Sequence, residues 1–140
     1  MAGTKQIQTL SVEASTEHLA EVRDFVAAHA ENIGLNQKDI SEIRLAVDEA
    51  YTNIIKHAYK NTPKEKVNIE IGSDSDHLWI TLMDKGKSFD PSSYSEPDLM
   101  KRIKEKKRGG MGVYLIRKLM DQVQYNRKGH TNVIRMVKNL

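Results

Sequence analysis

Asp48-Glu49-Ala50-Tyr51-Thr52-Asn53-Ile54-Ile55-Lys56-His57-Ala58-Tyr59 closes a helical run that begins near Asn36. Apolar residues fall at Ile40, Ile43, Val47, Ala50 and Ile54. That i, i+3, i+7 recurrence marks one buried helix face. Glu49 and Asn53 lie off this row. They are four positions apart, so they sit one above the other on the same side of the helix. A carboxylate and a carboxamide one turn apart can share a small site, the first as proton acceptor and the second as metal ligand. Taken alone, such a pair is an ordinary solvated helix face. The rest of the chain decides between the two readings.

The chain has 140 residues, enough for one domain with a real core, and a single domain over residues 1–140 is expected. Its hydrophobic share of 39% and charged share of 29% describe a water-soluble globular protein. No apolar run approaches the length of a membrane span, and the N-terminus carries no signal-peptide pattern, so cytoplasmic residence is expected. With no cysteine, disulfides, thiolate metal sites and thiol nucleophiles are excluded. The formal net charge is +3, and much of the basic excess is local, in residues 101–108.

Residues 5–13 alternate around Ile7, Leu10 and Val12 and predict a first strand. Ser15 or Thr16 can cap the helix that follows, with Leu19, Val22, Phe25 and Val26 as its stripe and Gly34 as its C-terminal stop. Asn36 can cap the next helix, which Asn61-Thr62-Pro63 breaks. Residues 66–72 and 78–83 read as the two strands of a hairpin, with a turn over 72–76. Residues 91–108 hold two prolines, several serines and the basic run. They read as a long connection, which in a small domain is ordinarily functional. Residues 111–120 predict a short helix, 123–126 and 133–137 two final strands, and Lys128-Gly129 the turn between them. The order predicts an α/β two-layer sandwich: a mixed, largely antiparallel sheet with helices packed on one face.

Two further stretches have unusual composition. Asp84 ends an apolar strand and Gly86 follows. A carboxylate there can accept from an exocyclic amine, or can simply form an Asp-x-Gly turn. Gly109, Gly110 and Gly112 precede or begin a helix, whose free amides and dipole favour an anion such as phosphate. The spacing matches neither a Walker A loop nor a dinucleotide fingerprint. The histidines show no His-x-x-x-His metal pair.

The ordered combination is more specific than its parts. Glu-x-x-x-Asn late in a helix, Asp-x-Gly-x-x-Phe-Asp after a hairpin strand, and Gly-x-Gly opening a helix after a long loop resemble the GHKL ATPase superfamily with its Bergerat ATP-binding fold. Within it the chain looks like the anti-sigma-factor serine/threonine kinases of bacterial partner switches. Residues 48–53 with His57-Ala58-Tyr59 are similar to that family's asparagine box. Gly110-Met111-Gly112-Val113-Tyr114-Leu115-Ile116 with Leu119-Met120-Asp121 are similar to its second glycine box. The resemblance runs from about residue 5 to the C-terminus.

The resemblance implies Glu49 as general base toward a serine or threonine hydroxyl, and Asn53 as ligand of Mg²⁺. It implies ATP held by Asp84 at the adenine amine, with Gly86 beside the base and Thr131 supporting adenine through water. Gly110, Met111 and Gly112 would line the phosphates, Arg108 would approach the γ-phosphate, and residues 91–108 would form a lid. It implies an anti-anti-sigma antagonist protein as substrate, a sigma factor or other regulator as second partner, and a homodimer. Two positions depart from the superfamily pattern. Ser88 stands where many members carry another glycine, and His130 where a glycine commonly precedes the threonine. The competing readings are a catalytically silent, nucleotide-gated binding module and a nucleic-acid binder using residues 101–108. The retained Glu49 opposes the first. The absence of aromatic residues among the basic ones opposes the second, so no direct nucleic-acid partner is expected.

Overall fold

The fold is described from a computed structural model, which covers residues 6–55, 65–85 and 111–140, the side chains of 111–114 excepted. Capping chemistry sets the helices. Ser15 Oγ accepts from the Glu17 amide at 3.2 Å and opens a 3-10 turn, Thr16–His18, that leads into α1, Leu19–Asn32. α1 ends in a Schellman pattern: the Leu35 amide donates to the Ala30 carbonyl and the Gly34 amide to that of Glu31. Gly34 takes φ 86°, a conformation that favours glycine. Two residues on, Asn36 Oδ1 accepts from the Asp39 amide at 2.8 Å and opens α2, Gln37–Ile54. The expected continuation of α2 and its break at Pro63 lie outside the described residues.

Five strands form one sheet: β1 Gln6–Glu13, β2 Lys66–Ser73, β3 His77–Asp84, β4 Gln122–Lys128 and β5 Thr131–Asn139. Their order is β1-β2-β3-β5-β4 and each pairing is antiparallel, the limiting case of the largely antiparallel sheet expected. α3, Met111–Leu119, precedes the β4–β5 hairpin. Strand alternation sends Val67, Ile69, Ile71, Leu78, Ile80, Leu82, Ile134 and Met136 into one buried layer. That layer meets Val22 and Val26 of α1, Ile40, Ile43, Val47 and Tyr51 of α2, and Ile116 of α3.

The opposite face of the sheet carries a groove of about 520 Å³ lined in part by Ile7, Glu70, Trp79, Arg135 and Val137. Gly72 does not begin the turn; β2 runs on through Ser73, and Asp74 makes the turn by accepting the amides of Asp76 and His77, both at 2.8 Å. Gly72 is a strand residue because the Trp79 indole lies where a Cβ would be. The Arg135 guanidinium sits 5.3 Å from the centroid of that ring. β4 and β5 are also longer than expected. Gly129, at φ 62°, lets a two-residue turn bring Lys128 directly opposite Thr131.

Two polar anchors set the helices along the sheet. Lys138, 8% exposed, donates to Glu42 Oε2 at 2.8 Å and to the Leu119 carbonyl at 3.4 Å. It thereby ties the first half of α2 and the end of α3 to the end of β5. Tyr51 donates to the carbonyls of Ser15 at 2.6 Å and Glu13 at 3.2 Å. This pins the last third of α2 to the end of β1.

Candidate functional site

The antiparallel register gathers one set of strand ends. Glu13 faces Lys66, Asp84 faces Asn132, and Lys128 faces Thr131. Tyr51 holds the C-terminal turns of α2 at this same end, since its hydroxyl reaches the Glu13 carbonyl. Glu49 and Asn53 ride on those turns, and both are half-buried. α2 therefore carries a carboxylate and a carboxamide to the end of the sheet where Asp84 closes β3 and Thr131 opens β5.

Asp84 is 4% exposed, and Leu78, Ile80 and Leu82 share its side of β3. A carboxylate there requires partners, because burying an unpaired charge is very costly. Its Oδ1 accepts from Asn132 Nδ2 at 3.0 Å, and Asn132 Oδ1 accepts from Arg127 Nη1 at 2.7 Å. Thr131, half-buried at the start of β5, has the parity of Val133 and Arg135 and so faces away from this row. Close to Glu49, burial of Tyr51 raises its phenol pKa above the ordinary value, an effect opposed by its hydrogen bond to Ser15 and aided by the charge of Glu21. The same burial pushes Tyr125 up to about 12, against the pull of Arg117. Both phenols therefore stay protonated through the neutral range, and Tyr51 acts as a donor.

Met111 and Gly112 open α3, and the first turn of a helix is where backbone amides and the dipole favour an anion. Gly86, Ser88, Arg108, Gly110, Lys56, His57 and the lid expected over 91–108 lie outside the described residues. The structure thus brings Glu49, Asn53 and Asp84 to one end of the sheet on its helix-bearing side, whereas the parity of Thr131 directs it to the opposite face.

A profile of the histidine kinase-like ATPase domain matches residues 12–138. The chain belongs to the histidine kinase-like ATPase family. As a member, it carries an ATP-binding domain. The serine-protein kinase RsbW of Oceanobacillus iheyensis is 32% identical over 124 residues, which cover 84% of this chain and 77% of that protein. The serine-protein kinase RsbW of Bacillus cereus strain G9842 is 36% identical over 119 residues, covering 82% and 74%. A crystal structure of the RsbU and RsbW domains of a Mycobacterium tuberculosis protein aligns with a TM-score of 0.65 at 15% identity. That alignment covers 95% of this chain and 32% of the longer one, and shows the shared fold. Family membership agrees with the two-layer architecture read from the periodicity. No helix among the described residues is long and apolar enough to cross a membrane.

Sequence reasoning passed over three residues that build this end of the family domain. Tyr51 falls four after Val47, on the buried stripe, and that spacing was a usable signal. Asn132 shares the inward parity of Ile134 and Met136, so a polar residue in that row needed a partner. Arg127 carried no local signal, because its role depends on which strand lies beside β4.

Proposed function

We propose that the protein is a serine/threonine kinase that transfers the γ-phosphoryl group of ATP to a small antagonist protein of a partner switch. In this reading it also holds a sigma factor, or another regulator, inactive. The observation that carries the reading is the arrival of Glu49 and Asn53 at the sheet end where the buried Asp84 lies, within an ATPase domain. The printed names of its relatives, serine-protein kinases, support the reaction class.

The residues divide the work as follows. Asp84 accepts from the adenine amine and Gly86 lets the base approach, while the outward parity of Thr131 does not favour the adenine role that the resemblance implied for it. Gly110, Met111 and Gly112 are assigned to the phosphates. Asn53 would hold Mg²⁺ through its side-chain oxygen. A carboxamide oxygen is a hard donor of the kind Mg²⁺ accepts. Mg²⁺ takes few protein oxygens and fills its shell with phosphates and waters. When bound, it neutralises charge on the phosphate oxygens. Glu49 takes the proton from the incoming serine or threonine hydroxyl. The hydroxyl oxygen bonds to the γ-phosphorus as the bond from that phosphorus to the β–γ bridging oxygen breaks, and ADP leaves. Arg108 stabilises charge on the group in transit.

We also propose a homodimer that pairs through the groove-bearing sheet face. That face carries both signs, Glu70 and Asp74 as well as Arg135, as a surface that meets its own copy requires. Its mark is a sedimentation mass twice that of the chain.

The deciding experiment is Glu49→Gln, which retains shape and removes the proton acceptor. Transfer from labelled ATP to a cognate antagonist should fall by a factor on the order of 10²–10⁴ while ATP binding persists. An unchanged transfer rate would remove Glu49 from the mechanism. ATP binding without transfer in the unmodified protein, across candidate antagonists, would leave the binding-module reading.

A further inference from the structure

Asp84, Asn132 and Arg127 form a row across three neighbouring strands. Asp84 and Asn132 are opposite in the β3–β5 register, and Asn132 and Arg127 are opposite in the β5–β4 register. All three share the helix-facing parity of their strands, with Leu82, Ile134 and Tyr125 respectively. Exposure rises along the row: Asp84 is buried, Asn132 half-buried and Arg127 exposed.

A carboxamide can present either its oxygen or its NH₂ to a neighbour. Arg127 resolves that choice. A guanidinium only donates, so Asn132 must turn its oxygen toward Arg127 Nη1, 2.7 Å away. Its NH₂ then faces Asp84, and Nδ2 donates to Oδ1 at 3.0 Å. The hydrogen bonds run in one direction, from guanidinium to amide to carboxylate.

We infer that Asn132, oriented by Arg127, is a positioning residue that fixes the plane of the Asp84 carboxylate and so sets the preference for adenine over guanine nucleotides. The inference rests on the reading of Asp84 as the adenine acceptor. The final torsion of an aspartate is broad and weakly restrained. A carboxylate at a strand end could rotate to suit different ligands, or turn toward water. Fixing Oδ1 to Asn132 defines where the remaining lone pairs point. An ionised carboxylate held in one plane meets the six-amino group of adenine as donor to acceptor. Guanine presents an oxygen at that position, and two acceptors then face each other with no rotation available to relieve them. Asn132 therefore acts on the ratio of the two nucleotides more than on nucleotide affinity as such.

The test displaces labelled ATP with unlabelled ATP or GTP from the full chain, and measures KM and kcat for transfer. Asn132→Leu retains the approximate shape and removes both polar atoms. Arg127→Leu, at an exposed position, removes the orienting donor without disturbing the core. Arg127→Lys restores a donor to the Asn132 oxygen. The wild-type preference for ATP should be roughly tenfold or more, as expected when a charged acceptor is left facing another acceptor. Both leucine variants should bring the two nucleotides several-fold closer and raise KM for ATP rather than lower kcat. Arg127→Lys should recover most of the ratio. A folded Asn132→Leu or Arg127→Leu protein with the wild-type ratio would overturn the inference, as would equal losses for ATP and GTP. Asp84→Asn in the same assay separates the two levels. If it too leaves the ratio unchanged, the adenine role of Asp84 falls. If it alone shifts the ratio, only the positioning role falls.

Discussion

Tyr51→Phe removes one oxygen from the core and nothing else. The residue is 0% exposed, and phenylalanine preserves the ring and its packing, so no cavity opens. What disappears is the donor to the Ser15 carbonyl at 2.6 Å and the Glu13 carbonyl at 3.2 Å. A typical hydrogen bond contributes about 1 kcal/mol net, and leaving a buried acceptor unpaired costs about 1–3 kcal/mol. Both carbonyls are only partly buried, so water recovers some of the loss and the expected destabilisation is about 1–2 kcal/mol. For a domain of this size that corresponds to a fall in Tm of roughly 3–8 °C. Urea unfolding followed by circular dichroism is the assay, with an unchanged m value showing that compactness is preserved. The hydroxyl also joins the turns that carry Glu49 and Asn53 to the end of β1. A mutant with the wild-type midpoint would refute the claim that this bond anchors α2 at the site.

His29 is 2% exposed and bonded on both ring nitrogens, to Gln8 Oε1 at 2.9 Å and Ser73 Oγ at 2.8 Å, and burial lowers its pKa. The unfolded chain therefore takes up a proton near pH 6.5 that the folded chain accepts only at lower pH, so stability is lost as pH falls below that value. His29→Gln should show a smaller drop in urea midpoint between pH 7.5 and 5 than the wild type, and an equal drop would exclude His29 as the source. Gly72→Ala should push the Trp79 indole away from β2 and cost about 1–3 kcal/mol, the usual penalty for overpacking. Trp79 is the single tryptophan, so a red shift of its emission reports the displacement, and unchanged emission with unchanged stability would show that the ring does not need the space.

Elements were legible in this sequence wherever local chemistry decides them. Asn36 and Gly34 bound their helices as their residue types predict, because caps depend on a few neighbouring atoms. The inward rows Val67-Ile69-Ile71 and Leu78-Ile80-Leu82 were visible from alternation alone. The grouping of Glu49, Asn53 and Asp84 was legible only through resemblance to a family. Gly72 was misread because glycine beside Ser73-Asp74 looks like a turn, and its true reason is a ring from the next strand. Asn132 and Arg127 were missed for a related cause. Their value to Asp84 depends on β5 lying between β3 and β4, a long-range pairing that no local period encodes.

That pairing also shapes how the chain must be made. β5 fills the gap between β3 and β4, and Asp84 meets a partner 48 positions later in the chain. During synthesis β1, β2 and β3 emerge well before β5 does. Until it arrives, β3 presents an open row of amides and carbonyls on the side of His77–Asp84, with Leu78, Ile80 and Leu82 incompletely covered. Such an edge is a template for pairing with another nascent chain. Closing it requires a contact of high sequence separation, which slows folding relative to local structure. The interval between release of β3 and insertion of β5 is therefore when this protein is most exposed to aggregation, and when a chaperone that shields strand edges would matter most.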